Sequence, residues 1–592
     1  MLQAVATVDS RGESVTENSS ISSPAHSAER PQLAALKARP HAEVLIIGGG
    51  INGIGTFRDL AMQGVDVVLI ERSDWASGAS AASSHMIHGG IRYLENGEFR
   101  LVKESVNERN GLLRIAPHYV KPLPTTIPIF STFSGITSAP LRMLTHRQGK
   151  PKERGAALIK VGLTIYDSFS RGGGVVPRHR FIGKRASLKA LPKLNPNVKY
   201  TTTYYDGSLV NPERLALDVL LDGVAAGGER ARAVNYVEAT GAADGKVQLR
   251  DNVSGEQFDF TADVVVNASG PWTDLTNQAL GAATRFMGGT KGSHIVVDNP
   301  ELFRACAGRE LFFEHRDGRI VLVYPLHGKV IIGTTDLEQD MTQPIEVTED
   351  EIDYFFDLVK DVFPSVPVDR SQIIYRFVGV RPLPRHDDTQ PGFVSRDYRI
   401  VDSPIPGLGA TKVLSLVGGK WTTFRALGQQ LADETLARLG RSRRRSTEGV
   451  AIGGGVDYPT TPEGKAAWGA QHAGGVGAER ARVLLNRYGT KAARIIEALG
   501  AEDEPLASVP GYSRGEIAFI AREEQVVHLI DVLTRRTSIA FRGLATGEGV
   551  TEIASVIAAE LGWDEARRDD ELKDAATQLY EQHGVDLGLA AA

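Results

Sequence analysis

The sequence predicts an α/β protein: a Rossmann-like dinucleotide-binding domain interleaved with an antiparallel-sheet domain over residues 41–440, then an all-helical C-terminal domain over 462–592. Three observations carry this. A strand, a glycine-rich turn, a helix and a second strand ending in an acid run from Val44 to Glu71. Two apolar runs further on alternate in character and turn at His327-Gly328. Beyond residue 461, apolar side chains recur at helical spacing, and each run closes near glycine.

At 592 residues the chain exceeds what one core usually holds, so two or three domains are expected. With 42% hydrophobic and 23% charged residues, most of it can bury a core. The net charge of -5 gives no pull toward nucleic acid. Cys306 is the only cysteine, which excludes an intramolecular disulfide, a four-cysteine iron–sulfur cluster and a cysteine-rich zinc site, and suits a reducing cytoplasm. No metal site is expected, and redox chemistry would need an organic cofactor. No apolar run is long enough to span a bilayer, which leaves peripheral contact with the cytoplasmic membrane face open. Residues 1–40, rich in Ser, Glu and Pro and without a hydrophobic signal core, are expected to be a disordered extension.

Order is expected from His41. Val44-Leu45-Ile46-Ile47 is short, apolar and β-branched, as for a strand buried on both faces. Gly48, Gly50 and Gly53 follow as G-x-G-x-x-G, then a helix from Asn52 to Gln63 closed by Gly64, then a strand from Val67 to Ile70. The first glycine permits the tight turn, the second lets backbone approach a pyrophosphate at the helix N-terminus, and the third permits helix–strand packing. Glu71 stands about twenty residues beyond Gly48, where an acid can accept from a ribose diol and would repel a 2′-phosphate. These residues leave FAD and NAD both open. The following Ser77-Gly78-Ala79-Ser80-Ala81-Ala82-Ser83-Ser84 is too rich in Ser and Gly for a buried helix, and allows backbone to come close to a large flat cofactor.

The motifs that follow occur in a fixed order: S-S-x-x-I-H-G-G-I-R-Y-L-E with E-F-R-L-V, Asn267-Ala268-Ser269-Gly270-Pro271-Trp272, Lys291-Gly292-Ser293-His294, Gly333-Thr334-Thr335-Asp336, Gly379-Val380-Arg381-Pro382-Leu383 and Gly418-Gly419-Lys420-Trp421-Thr422-Thr423. Together with G-G-G-I-N-G they resemble the FAD-dependent glycerol-3-phosphate dehydrogenase family over about residues 41–545.

The resemblance implies FAD as cofactor, held by Gly48, Gly50, Asn52, Gly53 and Glu71, with Ser84, His88 and Gly89 lining the flavin and Gly270, Gly419 and Thr422 close to it. Arg92 and Tyr93 would point into the substrate cavity. Arg92, Arg381 and Arg396 would grip a phosphate, for which a guanidinium fork is suited. Lys420 would lie at the flavin carbonyl edge. Oxidising a secondary alcohol sends a hydride to flavin N5 while a base removes the hydroxyl proton; His294 is the first choice of base and His88 the second. An isolated arginine is by default a solvated charge and an isolated histidine a satisfied core residue, so the ordered motifs, and not the residue types, assign these roles.

Two departures from the family pattern stand out: His85 where a lysine or arginine is expected, and Asn211-Pro212-Glu213-Arg214 where Asp-Asp-x-Arg is expected. They keep a four-carbon substrate, erythritol phosphate, as the alternative to sn-glycerol 3-phosphate. Residues 441–461, with RSRRR at Arg441–Arg445, read as a solvated linker, with contact to anionic lipid as the second choice. Arg522-Glu523-Glu524 and Arg535-Arg536-Thr537 match the family's C-terminal domain, while Ser538 stands where arginine is expected. As partners the resemblance implies a phosphorylated polyol and a membrane quinone, and it allows a homodimer. An NAD dehydrogenase would not need the His-Gly-Gly cluster. An amino-acid oxidase would need a carboxylate and amine site, and a flavin-binding structural protein would show no turnover.

Overall fold

The strand His41–Ile47 carries apolar side chains on both faces, with Ala42, Val44, Leu45 and Ile46 fully buried, as the middle of a covered parallel sheet requires. In the computed structural model it lies between Gln257–Asn267 and Val67–Glu71, parallel to both. The structure describes residues 30–91, 98–132, 156–170, 176–315, 319–385, 397–500 and 503–589. Among these, the first sheet runs in the order 399–402, 412–417, 257–267, 41–47, 67–71, 231–235. Only Arg399–Asp402 runs antiparallel along that path. The helices Ile51–Met62, Pro212–Gly227 and Phe424–Arg438 cover one face, burying Phe57, Leu60, Leu215, Leu220, Leu427 and Leu431 against Val44, Ile46, Val264 and Val266.

The Ile51–Met62 helix starts and ends one residue earlier than the sequence suggests. Gly50, in extended backbone, is its N-cap, and Gln63 is already the C-cap before Gly64 turns the chain at φ 75°.

The opposite face corrects the reading of residues 1–40. Residues 1–29 lie outside the described residues, but Pro31–Ala38 is a helix that buries Leu33 and Leu36 against Leu45, Ile47, Val68 and Ile70. Burying each leucine stabilises by about 2 kcal/mol, and Arg30 adds an ion pair to Asp251 at 2.6 Å. Those two apolar positions, hidden in a polar composition, order the segment.

The second sheet, ten-stranded among the described residues, is antiparallel except where Glu310–Glu314 pairs in parallel with Val120–Ile129. Its hairpin Ile320–Leu326 and Lys329–Gly333 turns at His327-Gly328 as expected. Thr290–Val297 sits between Lys329–Gly333 and Ile373–Arg381. One face packs on Pro300–Ala305 and Glu349–Val362. The other packs on the C-terminal helices, where Ile517, Ile520, Leu533, Ile553 and Leu579 meet Leu322, Tyr324, Tyr375 and Phe377.

Thr461, Ser513, Thr546 and Asp564 each start a C-terminal helix by accepting a backbone N–H, from Gly464, Glu516, Gly549 and Arg567 respectively.

Residues 441–461 form no helix or strand beyond the turn Gly453–Gly455, as a connection would, and Arg444 and Arg445 are exposed as a solvated linker requires, but Arg441, Arg443 and Thr447 are tied down. Arg441 pairs with Glu43, Arg443 with the buried Asp59, and Thr447 donates to Asp59 Oδ2 at 2.9 Å. Arg441 and Arg443 thus strap the connection onto the nucleotide fold, while Arg444 and Arg445 stay exposed. The buried Asp59 carboxylate supplies the reason, because a charge out of water needs partners.

Candidate active site

The glycine turn brings three elements to one point. Gly53 lies so close to Gly48 that a Cβ on it would sit 2.0 Å from the Gly48 carbonyl oxygen, so only glycine closes this turn. Ala268, at the end of the returning strand, donates its N–H to Ile47 O at 2.9 Å and abuts Gly48. Gly270 follows at φ 61° and opens the short helical turn Gly270–Trp272.

The Ile51–Met62 helix has no side-chain cap, and its first N–H donates to Ser80 Oγ at 3.0 Å. Its remaining first-turn amides suit an anion. Glu71 accepts from Gly49 N–H at 2.7 Å and Ser73 N–H at 3.0 Å, one on each carboxylate oxygen, leaving lone pairs for a ribose diol. Burial raises its carboxyl, against these two amide bonds. Asn52 Oδ1 is buried with no hydrogen-bond partner among the described residues, and Gly419, at φ 114°, leaves room for the Asn52 amide. An uncapped helix start, an orphan acceptor and an acid at the ribose position fit a dinucleotide.

The second sheet presents the chemistry. His294 sits in Thr290–Val297, opposite Phe377, and its ring stacks on Phe377 at 4.6 Å between centroids. Ser84 Oγ lies 2.8 Å from Nε2, while Nδ1 is buried with no hydrogen-bond partner among the described residues. Burial, with Arg381 and His85 nearby, pushes the imidazole well below the ordinary histidine range, so the ring is a neutral base.

Arg381 pairs in register with Thr290, four residues from His294, but reaches back over Gly292, where a Cβ would meet its Nη2 at 2.2 Å. Its Nη1 donates to Asp336 Oδ1 at 2.9 Å, and its Nη2 donates to Thr334 Oγ1 and Thr335 O, both at 3.0 Å. Thr290 Oγ1 also donates to Asp336, at 2.6 Å.

Between the sheets, the His88 N–H donates to Thr422 Oγ1 at 3.2 Å, and the Thr422 hydroxyl returns to His88 O at 3.1 Å. The Gly89 N–H donates to Tyr166 Oη and Asp206 Oδ1, and Arg109 joins the same two groups. Both of these amides are therefore committed within the protein. Lys420 Nζ donates to Ser105 Oγ at 2.6 Å, just before the turn Trp421–Thr423 that leads into Phe424–Arg438.

Structure thus unites Ser84 with His294, His88 with Thr422, and Asn52 with Gly419, and it draws Arg381 back along the strand toward His294. Arg92, Tyr93 and Arg396 lie outside the described residues. Of the residues that the sequence reading gave no role, Asp336 had a signal, the Gly333-Thr334-Thr335-Asp336 motif. Ser105, Arg109, Tyr166 and Asp206 had none, being single polar residues in ordinary helices and a strand.

The departures His85 and Asn211 lie together. His85 Nδ1 is 3.0 Å from Leu209 O, and Asn211 Oδ1 is 3.2 Å from His327 Nε2. Burial lowers both histidines to about 4, His327 adding to the shift at His85.

Residues 43–434 match the FAD dependent oxidoreductase family, and residues 410–568 the C-terminal domain of alpha-glycerophosphate oxidase. Glycerol-3-phosphate dehydrogenase of Synechocystis is 32% identical over 564 residues, covering 90% of this chain and 95% of that one. Glycerol-3-phosphate dehydrogenase 2 of Mycobacterium bovis is 30% identical over 545 residues, covering 90% and 86%. The crystal structure of glycerol-3-phosphate dehydrogenase from Bacillus halodurans, complexed with FAD, superposes with a TM-score of 0.72 at 22% identity, covering 95% of this chain and 99% of that one. The glycine turn, the two interleaved sheets and the helical C-terminal domain agree with these matches along nearly the whole length, and the chain belongs to the FAD-dependent glycerol-3-phosphate dehydrogenase family.

Proposed function

We propose that this FAD-dependent oxidoreductase oxidises sn-glycerol 3-phosphate at its secondary hydroxyl to dihydroxyacetone phosphate. The observation that carries this is His294: neutral, stacked on Phe377, in contact with Ser84, and within the electrostatic reach of Arg381. A neutral imidazole beside a guanidinium suits removal of a hydroxyl proton from a substrate anchored by its phosphate. FAD, when bound, supplies the acceptor for the two electrons of the carbinol C–H bond.

Gly48, Gly50, Asn52, Gly53 and Glu71 hold its diphosphate and ribose. Thr422 meets His88 across the two sheets, and Gly270, Gly419 and the segment from Ser84 to Gly89 would stand with it along the flavin. Lys420 favours negative charge there, and Ser105 fixes its position. Arg381 receives the substrate phosphate, with Arg92, Tyr93 and Arg396 completing the cavity. A quinone, reached at a membrane surface, would be the final electron acceptor. Among the described residues no helix is long and apolar enough to cross a membrane, so this contact would be peripheral.

The relatives' names speak for glycerol 3-phosphate, and erythritol phosphate finds no support among them. The test is an anaerobic flavin spectrum of the holoprotein mixed with glycerol 3-phosphate and, in parallel, with erythritol phosphate stereoisomers. Rapid bleaching by the first is expected; bleaching only by the second would replace the substrate.

A further inference from the structure

The loop 72–76 directly follows Glu71 and lies beneath the glycine turn. Ser73 donates its N–H to Glu71 Oε1, and Ala76 donates its N–H to Gly49 O at 2.9 Å. The Trp75 ring packs so tightly under Gly49 that a Cβ there would lie 2.6 Å from Trp75 Cε3. Yet what fixes this loop comes from the other end of the chain. The Trp75 indole N–H donates to Gln525 Oε1 at 3.0 Å. Asp74, 0% exposed, accepts both Nη1 and Nη2 of Arg536, at 2.6 and 2.8 Å, and Nε of Arg535 at 2.5 Å. Asn235, on the neighbouring strand, donates through Nδ2 to both Asp74 Oδ1 and Gln525 O, at 3.0 and 3.1 Å. A fully buried carboxylate with this many donors holds one geometry, because losing any of them leaves charge uncompensated.

We infer that the helical C-terminal domain acts as a clamp on the cofactor seat, with Gln525 and Arg536 as positioning residues that hold Trp75 and Asp74 under Gly49 and Glu71 and so retain FAD. This rests on Gly48–Gly53 and Glu71 being that seat. Neither residue touches the cofactor; each acts through the loop. The domain thereby has a role in flavin retention separate from any it has in turnover.

The test uses full-length protein, deflavinated and titrated with FAD by flavin fluorescence, with the melting temperature of each apoprotein followed in parallel. Gln525→Met removes one neutral hydrogen bond and keeps the side-chain length, so the FAD Kd should rise about five- to tenfold, with little change in the apoprotein melting temperature. Trp75→Phe removes the same bond from its other end. The double variant should bind FAD no more weakly than the worse single one, since both delete one shared interaction. Arg482→Ala breaks an exposed ion pair to Glu479 within the helix Ala478–Tyr488, which contributes no residue to the loop's bonds, and should leave the Kd unchanged. Glu71→Gln reports on the seat itself and should weaken FAD. An unchanged Kd for Gln525→Met beside a weakened Glu71→Gln would overturn the clamp. An unchanged Kd for both would overturn the seat, and the clamp with it.

Discussion

Ser84 Oγ and His294 Nε2 stand 2.8 Å apart, although 210 residues separate them in the chain. The contact joins the small-residue segment behind the nucleotide fold to the strand Thr290–Val297 of the second sheet, and it fixes which ring nitrogen of His294 is engaged. His294→Asn should slow anaerobic flavin reduction by about two to four orders of magnitude, with FAD content unchanged. Ser84→Ala, which frees the ring without removing the base, should cost far less. Stopped-flow bleaching checks both, and a His294→Asn protein reduced at the parent rate would remove His294 as the base.

Arg381 is held by Asp336, and Asp336 also takes the Thr290 hydroxyl. Replacing Asp336 by Asn keeps the shape and removes the charge that orients the guanidinium. KM for glycerol 3-phosphate should rise about tenfold, the worth of a charge-assisted hydrogen bond, while kcat falls less. Steady-state kinetics separate the two, and a fall in kcat alone would place Arg381 away from the phosphate.

Gly53→Ala puts a Cβ 2.0 Å from the Gly48 carbonyl oxygen. The helix must move off the strand, and the phosphate-facing amides move with it. The purified variant should be nearly colourless and melt below the parent apoprotein. Full flavin occupancy would show that the turn tolerates expansion.

His85 and His327 are both lowered to about 4 by burial. Their unfolded values are near 6.5, so below that pH the unfolded chain binds protons that the folded chain does not. Stability contributed by their neutral forms is complete above 6.5 and is lost as pH falls toward 4, at up to about 1.4 kcal/mol per pH unit for each group. Melting temperatures taken from pH 7 to 4.5 should fall accordingly, and His85→Asn should flatten the slope. A slope unchanged by that substitution would mean that His85 is not buried neutral.

Much of the nucleotide half was legible beforehand. The apolar run at Val44–Ile47, the three glycines and Glu71 are adjacent in sequence because a βαβ unit closes locally, so their spacing already states their geometry. The hairpin at His327-Gly328 was legible for the same reason. The helix at Pro31–Ala38 was missed because only Leu33 and Leu36 order it, and their partners lie on distant strands. The ion pairs of Arg441 and Arg443 were not legible because their partners, Glu43 and Asp59, lie almost 400 residues away in sequence.

Sequence alone determined the α/β class, the dinucleotide turn and, through ordered motifs, the flavoenzyme family, since each is written in local spacing. Only the tertiary structure decided that Asp336 aims Arg381, that Tyr166 and Asp206 take the Gly89 amide, and that Arg536 reaches Asp74. Those pairings join residues from separate elements. Burial makes the last two mandatory, because a charge or an amide withdrawn from water must find its partner wherever the fold has brought it.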